Sequence, residues 1–393
     1  MSRHTRVLII AAASTLGLTA CSGHDAGPDQ LIAPSPEPAR AIVKFWDANA
    51  TANWNDLATS LASRRPVNVS RLYVYLSLAQ LRAAEDAEAL RPSSPTSSAI
   101  GAASASLLAS YFPADVAEIE AALTAQVTGE PWPGAKQQNA AIGIPLGRAA
   151  AARVLAFSAT DLVGLTNPGT PPTTPGHWLW SGGPIARGNL GARPFFLTSR
   201  DEFRPAPPPA FGSPAFLAAL AEVRQISDTR TPQQLAIATY WNLGQSPRSN
   251  AIVEKLAVEL IRRHRRSDIE SARILFRMNA AIFDALIGCF DAKYAYWFIR
   301  PPQADPLITL PIGLPPHPSY PSAHSCVSGA ASGVLMAAFP EDRDQLEDVA
   351  MEASLSRLYA GIHYRFDMVA GLALGRNAAG KAMAADLSAV AVQ

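Results

Sequence analysis

Lys293 and Arg300, Ser322 and His324, then Arg357, His363 and Asp367 bring three cations, two imidazoles, a hydroxyl and one carboxylate into the final stretch of the chain. Such a set suits a tetrahedral oxyanion held by positive charge, with one histidine attacking and the other handling protons. The residues fall into three blocks. Lys293 runs to Arg300-Pro301, Pro321-Ser322-Ala323-His324 follows, and Ser356-Arg357 precedes His363 and Asp367.

Each block has a local logic. Lys293 and Arg300 lie seven residues apart near the end of a helix expected over 268–298, which puts both on one face. Pro301 and Pro302 are expected to stop that helix. Alone, this pair also describes an ordinary solvated face. Ser322 stands where a helix N-cap belongs, beside free backbone N–H groups that make an anion site. Capping by itself would account for Ser322, and a first-turn polar residue for His324. His363 and Asp367, four apart, stack on a helix expected to begin near Gly361. The carboxylate can hold one imidazole nitrogen and leave the other as a neutral nucleophile. Three nearby cations depress the His363 pKa, and Asp367 opposes that shift. Arg357 lies six residues before His363, so a break around Ala360-Gly361 is needed to let the two converge.

Taken jointly, the blocks resemble the K-x6-R-P, P-S-G-H and S-R-x5-H-x3-D pattern shared by type 2 phosphatidic acid phosphatases, bacterial acid phosphatases and vanadium-dependent haloperoxidases. Ala323 is the one departure, where the pattern has Gly. A Cβ there is harmless at negative φ and costs about 1 kcal/mol at positive φ. The gaps between blocks, 19 and 31 residues, look like those of the phosphatases. Upstream, Pro194-Phe195-Phe196-Leu197, Asp201-Glu202-Phe203-Arg204-Pro205, Ala238-Thr239-Tyr240-Trp241 and Asp291-Ala292-Lys293-Tyr294 resemble the soluble haloperoxidase-like bacterial branch. The likeness covers about 190–385.

The resemblance implies roles. Lys293, Arg300, Arg357, Ser322 and the Ala323 N–H would bind the oxygens of phosphate or vanadate. His363 would attack phosphorus or coordinate vanadium, His324 would protonate the leaving group, and Asp367 would orient His363. No other metal is called for. His317, five residues before Ser322, stands near where haloperoxidases carry an aromatic or His by the peroxide or halide pocket. Phe290 stands where they often carry Trp. The leading expectation is hydrolysis of phosphoric monoesters through a phosphohistidine, with no cofactor. The alternative is oxidation of halide by hydrogen peroxide with vanadate as cofactor. A third is a non-catalytic helical surface lipoprotein.

The elements that must position these residues read as helices. Alanine is abundant, Val and Ile are modest, and apolar runs do not alternate. An all-α fold is expected: a bundle of the acid phosphatase/vanadium haloperoxidase type over 214–390, with an additional helical region and proline-rich loop over 36–213. Helices are expected at 39–49, 68–90, 95–111, 114–127, 135–160, 214–224, 232–243, 248–265, 268–298, 322–338, 341–354 and 365–386. The Pro-rich stretch 162–214 should be ordered, because Phe195, Phe196, Phe203 and Phe211 need burial.

Arg3 and Arg6 precede an apolar run from Val7 to Leu18, and Leu18-Thr19-Ala20-Cys21 follows. Residues 1–20 therefore read as a signal peptide ending in a lipobox, Cys21 as the lipidated residue, and 21–35 as a tether. An exported lipoprotein anchored in the membrane is expected, by analogy on the outer membrane facing the periplasm. No apolar run after Cys21 is long enough on this reading to span a bilayer, which sets aside the integral-membrane lipid phosphatases. Removing 1–20 changes the formal net charge from +1 to −1, since only Arg3 and Arg6 are lost. Bulk charge thus implies no nucleic acid partner. Cys289 and Cys326 are the other two cysteines, four residues before Lys293 and two after His324; free buried thiols and a disulfide are both open.

Overall fold

Hydroxyl side chains and prolines start most of the helices. Ser213 and Thr231 cap helices that open with Pro214 and Pro232, and Ser267 forms a reciprocal capping box with Glu270. The computed structural model describes residues 49–90, 94–128, 133–242 and 248–390. The signal, lipobox and tether readings over 1–35, and the helix expected at 39–49 apart from Asn49, lie outside these residues.

The fold is helical. In chain order the elements are α1 (Ala50–Arg64), α2 (Val69–Glu88), α3 (Thr96–Tyr111), α4 (Val116–Thr128), α5 (Pro133–Ser158), α6 (Pro214–Thr229) and α7 (Pro232–Tyr240). Then follow α8 (Arg248–Arg263), α9 (Asp268–Tyr296), α10 (Pro301–Ala304), α11 (Ala323–Ala338), α12 (Arg343–Tyr359) and α13 (Arg365–Ala384). Among the described residues there is no sheet, only an isolated bridge between His177 and Phe298. Helix α1 was not foreseen. Its buried face includes Thr51, Asn53, Asn55 and Thr59 beside Trp54 and Leu61, so polar residues obscure the apolar period.

Helix α9 organises the molecule. It is buried almost all round from Ser271 to Tyr294, as a helix apolar on every side should be. It packs on α2 on one side and on α11 and α13 on the other. The boundary expected at 213/214 therefore runs between helices that share α9 as a neighbour. Leu72, Tyr75, Leu76 and Ala79 of α2 are all buried in the first core.

The Pro-rich stretch is laid against α9 through its own backbone. Asp284 accepts hydrogen bonds from the N–H groups of Phe195, Phe196 and Leu197 at 2.8, 2.7 and 3.1 Å. Arg204 Nε donates to Asp291 at 2.7 Å, and the hydroxyls of Tyr296 and Tyr320 donate to the carbonyls of Pro205 and Ala206. Phe195, Phe196 and Phe203 are half-buried, but Phe211 is exposed; its ring rests on Phe216, 4.9 Å between centroids, at the surface.

One expectation about membranes needs correction. Residues Asn139–Ser158 of α5 are long and apolar enough to cross a bilayer, with a mean hydropathy of 1.4. Alanines, which the sequence analysis counts toward helix, supply much of that hydropathy. In the structure α5 packs along α2 and α3, with 33% of the span buried.

Candidate active site

Helices α11 and α13 bring the second and third blocks together because glycines line their contact. A Cβ on Gly371 would stand 2.6 Å from the Ser322 carbonyl oxygen, and one on Gly375 would stand 2.3 Å from that of Cys326. This approach lets Ser322 N–H donate to the Asp367 carbonyl at 3.0 Å. Ser322 caps α11 as expected and accepts from Ser325 N–H. Ala323 is the first helical residue and is not among those with positive φ, so its Cβ carries no strain. Its N–H belongs to the first turn, where no carbonyl of the helix can reach it.

Two local expectations fail in detail. Helix α9 ends at Tyr296, and Trp297 turns left-handed at φ 49°. Arg300 is thus extended and off the helix, while Pro301 and Pro302 start the short α10 rather than stopping α9. A seven-residue spacing cannot reveal that turn. His363 likewise precedes a helix instead of lying within it. Helix α12 ends at Tyr359, Gly361 turns at φ 75°, and α13 begins only at Arg365. The expected break at Ala360-Gly361 is present, and it swings His363 back over the first turn of α13.

The imidazole of His363 is held from both ends. Its Nδ1 lies 2.7 Å from Asp367 Oδ2 and its Nε2 lies 3.1 Å from Arg300 Nη1. A guanidinium can only donate. Nε2 therefore accepts, Nδ1 carries the proton, and the lone pair on Nε2 faces the cations. Asp367 Oδ2 also accepts from the Ser319 hydroxyl at 2.6 Å and from Tyr364 N–H at 3.2 Å. Burial, then Arg300 and Lys293, push His363 well below its ordinary pKa. Burial raises Asp367 to about 6 against Ser319, Lys293 and Tyr364 N–H. Above that pH the pair is a neutral imidazole beside a carboxylate.

The three cations are buried at 0% exposure for Lys293 and Arg300 and 1% for Arg357. Backbone carbonyls hold them. Lys293 Nζ donates to the carbonyls of Pro318 (2.9 Å), Ser319 (2.8 Å) and Pro321 (2.5 Å). Arg300 donates to His317 and Ile362 carbonyls, with His317 Nδ1 at 3.0 Å from Nη2. Arg357 donates to Ser356 Oγ and the Ala238 carbonyl, with Asn242 Oδ1 at 3.5 Å. Burial lowers Lys293 to about 8, Arg300 to about 10 and Arg357 to about 9, with Arg300 adding to the last shift. All three stay charged at neutral pH.

His324 is half-buried, and its Nε2 lies 3.0 Å from the Trp241 carbonyl. Nε2 must donate there, which leaves the Nδ1 lone pair open. Burial, then Arg357, lower His324 to about 3. Arg300 touches His363, Lys293 holds the Pro321 carbonyl and Ser322 N–H meets the Asp367 carbonyl, so the three blocks converge on one centre. His317 stands edge-on to Phe290, 5.4 Å between ring centroids. Ser319, Asn242 and the Ala238 and Trp241 carbonyls were not singled out in the sequence. Only the proximity of Ser319 to the Pro-Ser-Ala-His block could have drawn attention to it. Among the described residues no cluster of three or more His, Cys, Asp or Glu could hold a metal ion. Cys289 and Cys326 are free and buried.

Residues 274–385 match the family described as the PAP2 superfamily, so the resemblance read from the three blocks holds over the region that carries them. No curated protein matches the chain. Among solved structures, a bacterial vanadium-dependent iodoperoxidase is 22% identical with a TM-score of 0.71, over 87% of this chain and 96% of that one. A bacterial vanadium-dependent chloroperoxidase is similar in its apo form, 13% identical with a TM-score of 0.60 over 80% and 92% of the two chains. Its holo form is 14% identical with a TM-score of 0.60 over 88% and 93%. At these identities the likeness establishes the fold, and it extends to the N-terminal helices as well as the C-terminal bundle.

Proposed function

We propose that this protein is an oxyanion-dependent enzyme that holds vanadate at His363 and oxidises halide with hydrogen peroxide. The observation that carries the oxyanion is an imbalance of buried charge. Lys293, Arg300 and Arg357 make no ion pair with a carboxylate among the described residues, and Asp367 is the one acid coupled to them. Arginine cannot shed its proton, and uncompensated buried charge is costly. A multiply charged oxyanion offsets it.

The residues present fit vanadate. His363 Nε2 offers a lone pair on the cation side, fixed by Nδ1–H on Asp367. Arg357 and the first-turn N–H groups of α11 would hold the oxygens, while Lys293 and Arg300, whose N–H groups are engaged by carbonyls and imidazoles, would add positive charge. Bound vanadate supplies a Lewis acid that activates peroxide toward a halide nucleophile. The chain's part is to bind, orient and move protons. His324, kept neutral with Nδ1 open, is suited to take a proton from hydrogen peroxide. His317 and Phe290 lie on the Arg300 side, where a halide would meet a cation and an aromatic edge.

The second reading, phosphomonoester hydrolysis through a phosphohistidine, uses the same residues and is favoured by the short gaps of 19 and 31 residues between blocks. There His363 Nε2 attacks phosphorus, and a bound dianion offsets the cations so that His324 can carry a proton to the leaving oxygen. Lipidation at Cys21 would hold either enzyme at a membrane after export.

Purified protein assayed for iodide and bromide oxidation, before and after vanadate loading, tests the choice. Saturable vanadate-dependent turnover, absent in His363→Ala, is expected. Turnover of an aryl phosphate by vanadate-free protein, inhibited by vanadate and without halide oxidation at any loading, would replace the first reading with the second.

A further inference from the structure

Lys293 directs its three ammonium donors at backbone carbonyls, those of Pro318, Ser319 and Pro321. Of these three residues only Ser319 has a side-chain donor of its own, and it reaches the third block. Its main chain is held from two sides, the carbonyl by Lys293 at 2.8 Å and the N–H by the Phe298 carbonyl at 2.9 Å. Its hydroxyl donates to Asp367 Oδ2 at 2.6 Å and lies 3.5 Å from His363 Nδ1. Ser319 and Asp367 are both 0% exposed, so solvent does not reach these contacts.

The two oxygens of Asp367 are used unequally. Oδ2 accepts from the Ser319 hydroxyl, from His363 Nδ1–H and from Tyr364 N–H, whereas Oδ1 is buried with no partner among the described residues. An unmade hydrogen bond in the interior is costly. A turn of the carboxyl about its Cβ–Cγ bond would share the donors between the two oxygens, so something must hold it. The Asp367 backbone is tied to Ser322 N–H, but that contact does not set the carboxyl torsion. The donors on Oδ2 do. Tyr364 N–H is the longest of them at 3.2 Å, and His363 is the group to be oriented. That leaves the Ser319 hydroxyl as the short bond from a residue anchored elsewhere.

We infer that Ser319 is a positioning residue: its hydroxyl, seated by Lys293, fixes the Asp367 carboxylate against Nδ1–H and so aims the Nε2 lone pair of His363 at the oxyanion. This rests on the reading of His363 as the group that meets the oxyanion, and it holds for vanadate as for attack on phosphorus. Lys293 thereby acts twice, by its charge and through the contacts that run from Ser319 to Asp367 to His363. The anchoring contacts of Ser319 are main-chain, so removing its hydroxyl leaves Lys293 and Phe298 their partners.

The experiment uses the full chain, free of anion and labelled with nitrogen-15 histidine, with His363→Ala assigning the His363 signal among the seven histidines. The native chain should show a His363 Nδ1–H resonance that is shifted downfield and slow to exchange. Ser319→Ala should lose it, and Ser319→Thr, which keeps the hydroxyl, should retain it. Should Ser319→Ala unfold, Ser319→Cys takes its place with the same expectation, since a thiol is only a weak donor. Vanadate, which bonds to Nε2, should bind Ser319→Ala roughly 10–100-fold more weakly. Inorganic phosphate, which needs no such bond, should bind as it does to the native chain. An unchanged His363 signal and vanadate Kd in Ser319→Ala would overturn the inference. So would equal weakening of vanadate and phosphate, which marks a merely structural residue. A chain that shows the signal, and its loss in Ser319→Ala, yet turns over neither halide nor phosphate ester would overturn the activity proposed above and leave the positioning role standing.

Discussion

Between α1, α2, α3 and α4 the buried polar side chains are mostly neutral amides and hydroxyls that pair with one another, whereas between α9, α11 and α13 buried cations are held by main-chain carbonyls. In the first region Asn55 Nδ2 donates to Gln80 Oε1 at 2.9 Å, Gln80 Nε2 to Ser104 Oγ at 3.1 Å, and Trp54 Nε1 to Gln126 Oε1 at 2.9 Å. Between α8 and α9, outside both regions, the buried Glu254, which accepts from Asn279, is raised by burial to about 8 and keeps its proton at neutral pH. In the second region Arg300 and Arg357 stay charged at neutral pH despite their burial. The difference teaches that burial alone does not identify a site. A buried group that can become neutral, or that has a neutral partner, belongs to stability; buried cations without a carboxylate belong to a ligand.

The sharpest way to break this comparison is Asp367→Asn. It keeps the shape of the side chain but removes the charge that fixes Nδ1–H on His363. Activity should fall on the order of 10²–10⁴-fold in kcat/KM, with a much smaller change in Tm. Unchanged kcat/KM would mean that Arg300 alone orients the ring.

A middle-sized effect separates the two regions directly. Vanadate or phosphate at about 100 times its Kd should stabilise the folded chain by about 2.7 kcal/mol, read as a rise in Tm. Gln80→Ala should cost about 1–3 kcal/mol by stranding Asn55 and Ser104, yet keep the full anion shift. Arg357→Ala should shrink the shift. Absence of any anion-induced rise in the native chain would end the excess-cation argument.

The smallest effect is the pH slope set by Glu254. Its folded pKa of about 8 exceeds the unfolded value of roughly 4.3. The folded chain therefore binds the extra proton, and stability falls as pH rises from the unfolded value through the folded one. Glu254→Gln should flatten the decline in Tm between pH 5 and about 8. Parallel slopes for native and variant chains would show that Glu254 is ionised in the fold at neutral pH.

Much of this was legible in the sequence, for reasons that differ by residue. Helices beginning at Ser213-Pro214, Thr231-Pro232 and Ser267 announce themselves by their caps, and the three blocks by identity and spacing. Helix α1 did not, because its buried face carries Asn and Thr. The placement of Arg300 failed because a single left-handed residue, Trp297, resets the direction of the chain and leaves no periodic trace. Ser319 escaped notice because loop hydroxyls are common, and only the fold shows one on the Asp367 carboxylate. The Ala238 and Trp241 carbonyls that seat Arg357 and His324 are backbone, which side-chain patterns do not encode.

The grip of Lys293 on three carbonyls has a consequence for how this chain can change. It nails Pro318, Ser319 and Pro321 to α9, and Ala186 N–H independently holds the Pro316 carbonyl at 3.0 Å. At the other end Asp305 is held by Arg224, 3.2 Å between Nη1 and Oδ2, and by its N–H on the Pro301 carbonyl, so the segment between Asp305 and Pro315 joins two fixed points, and each doubling of loop length costs only about 0.6 kcal/mol. Insertions there can reshape the rim of the site without disturbing its floor. That makes the segment a natural place for related chains to diverge in substrate, and for an engineer to graft new recognition.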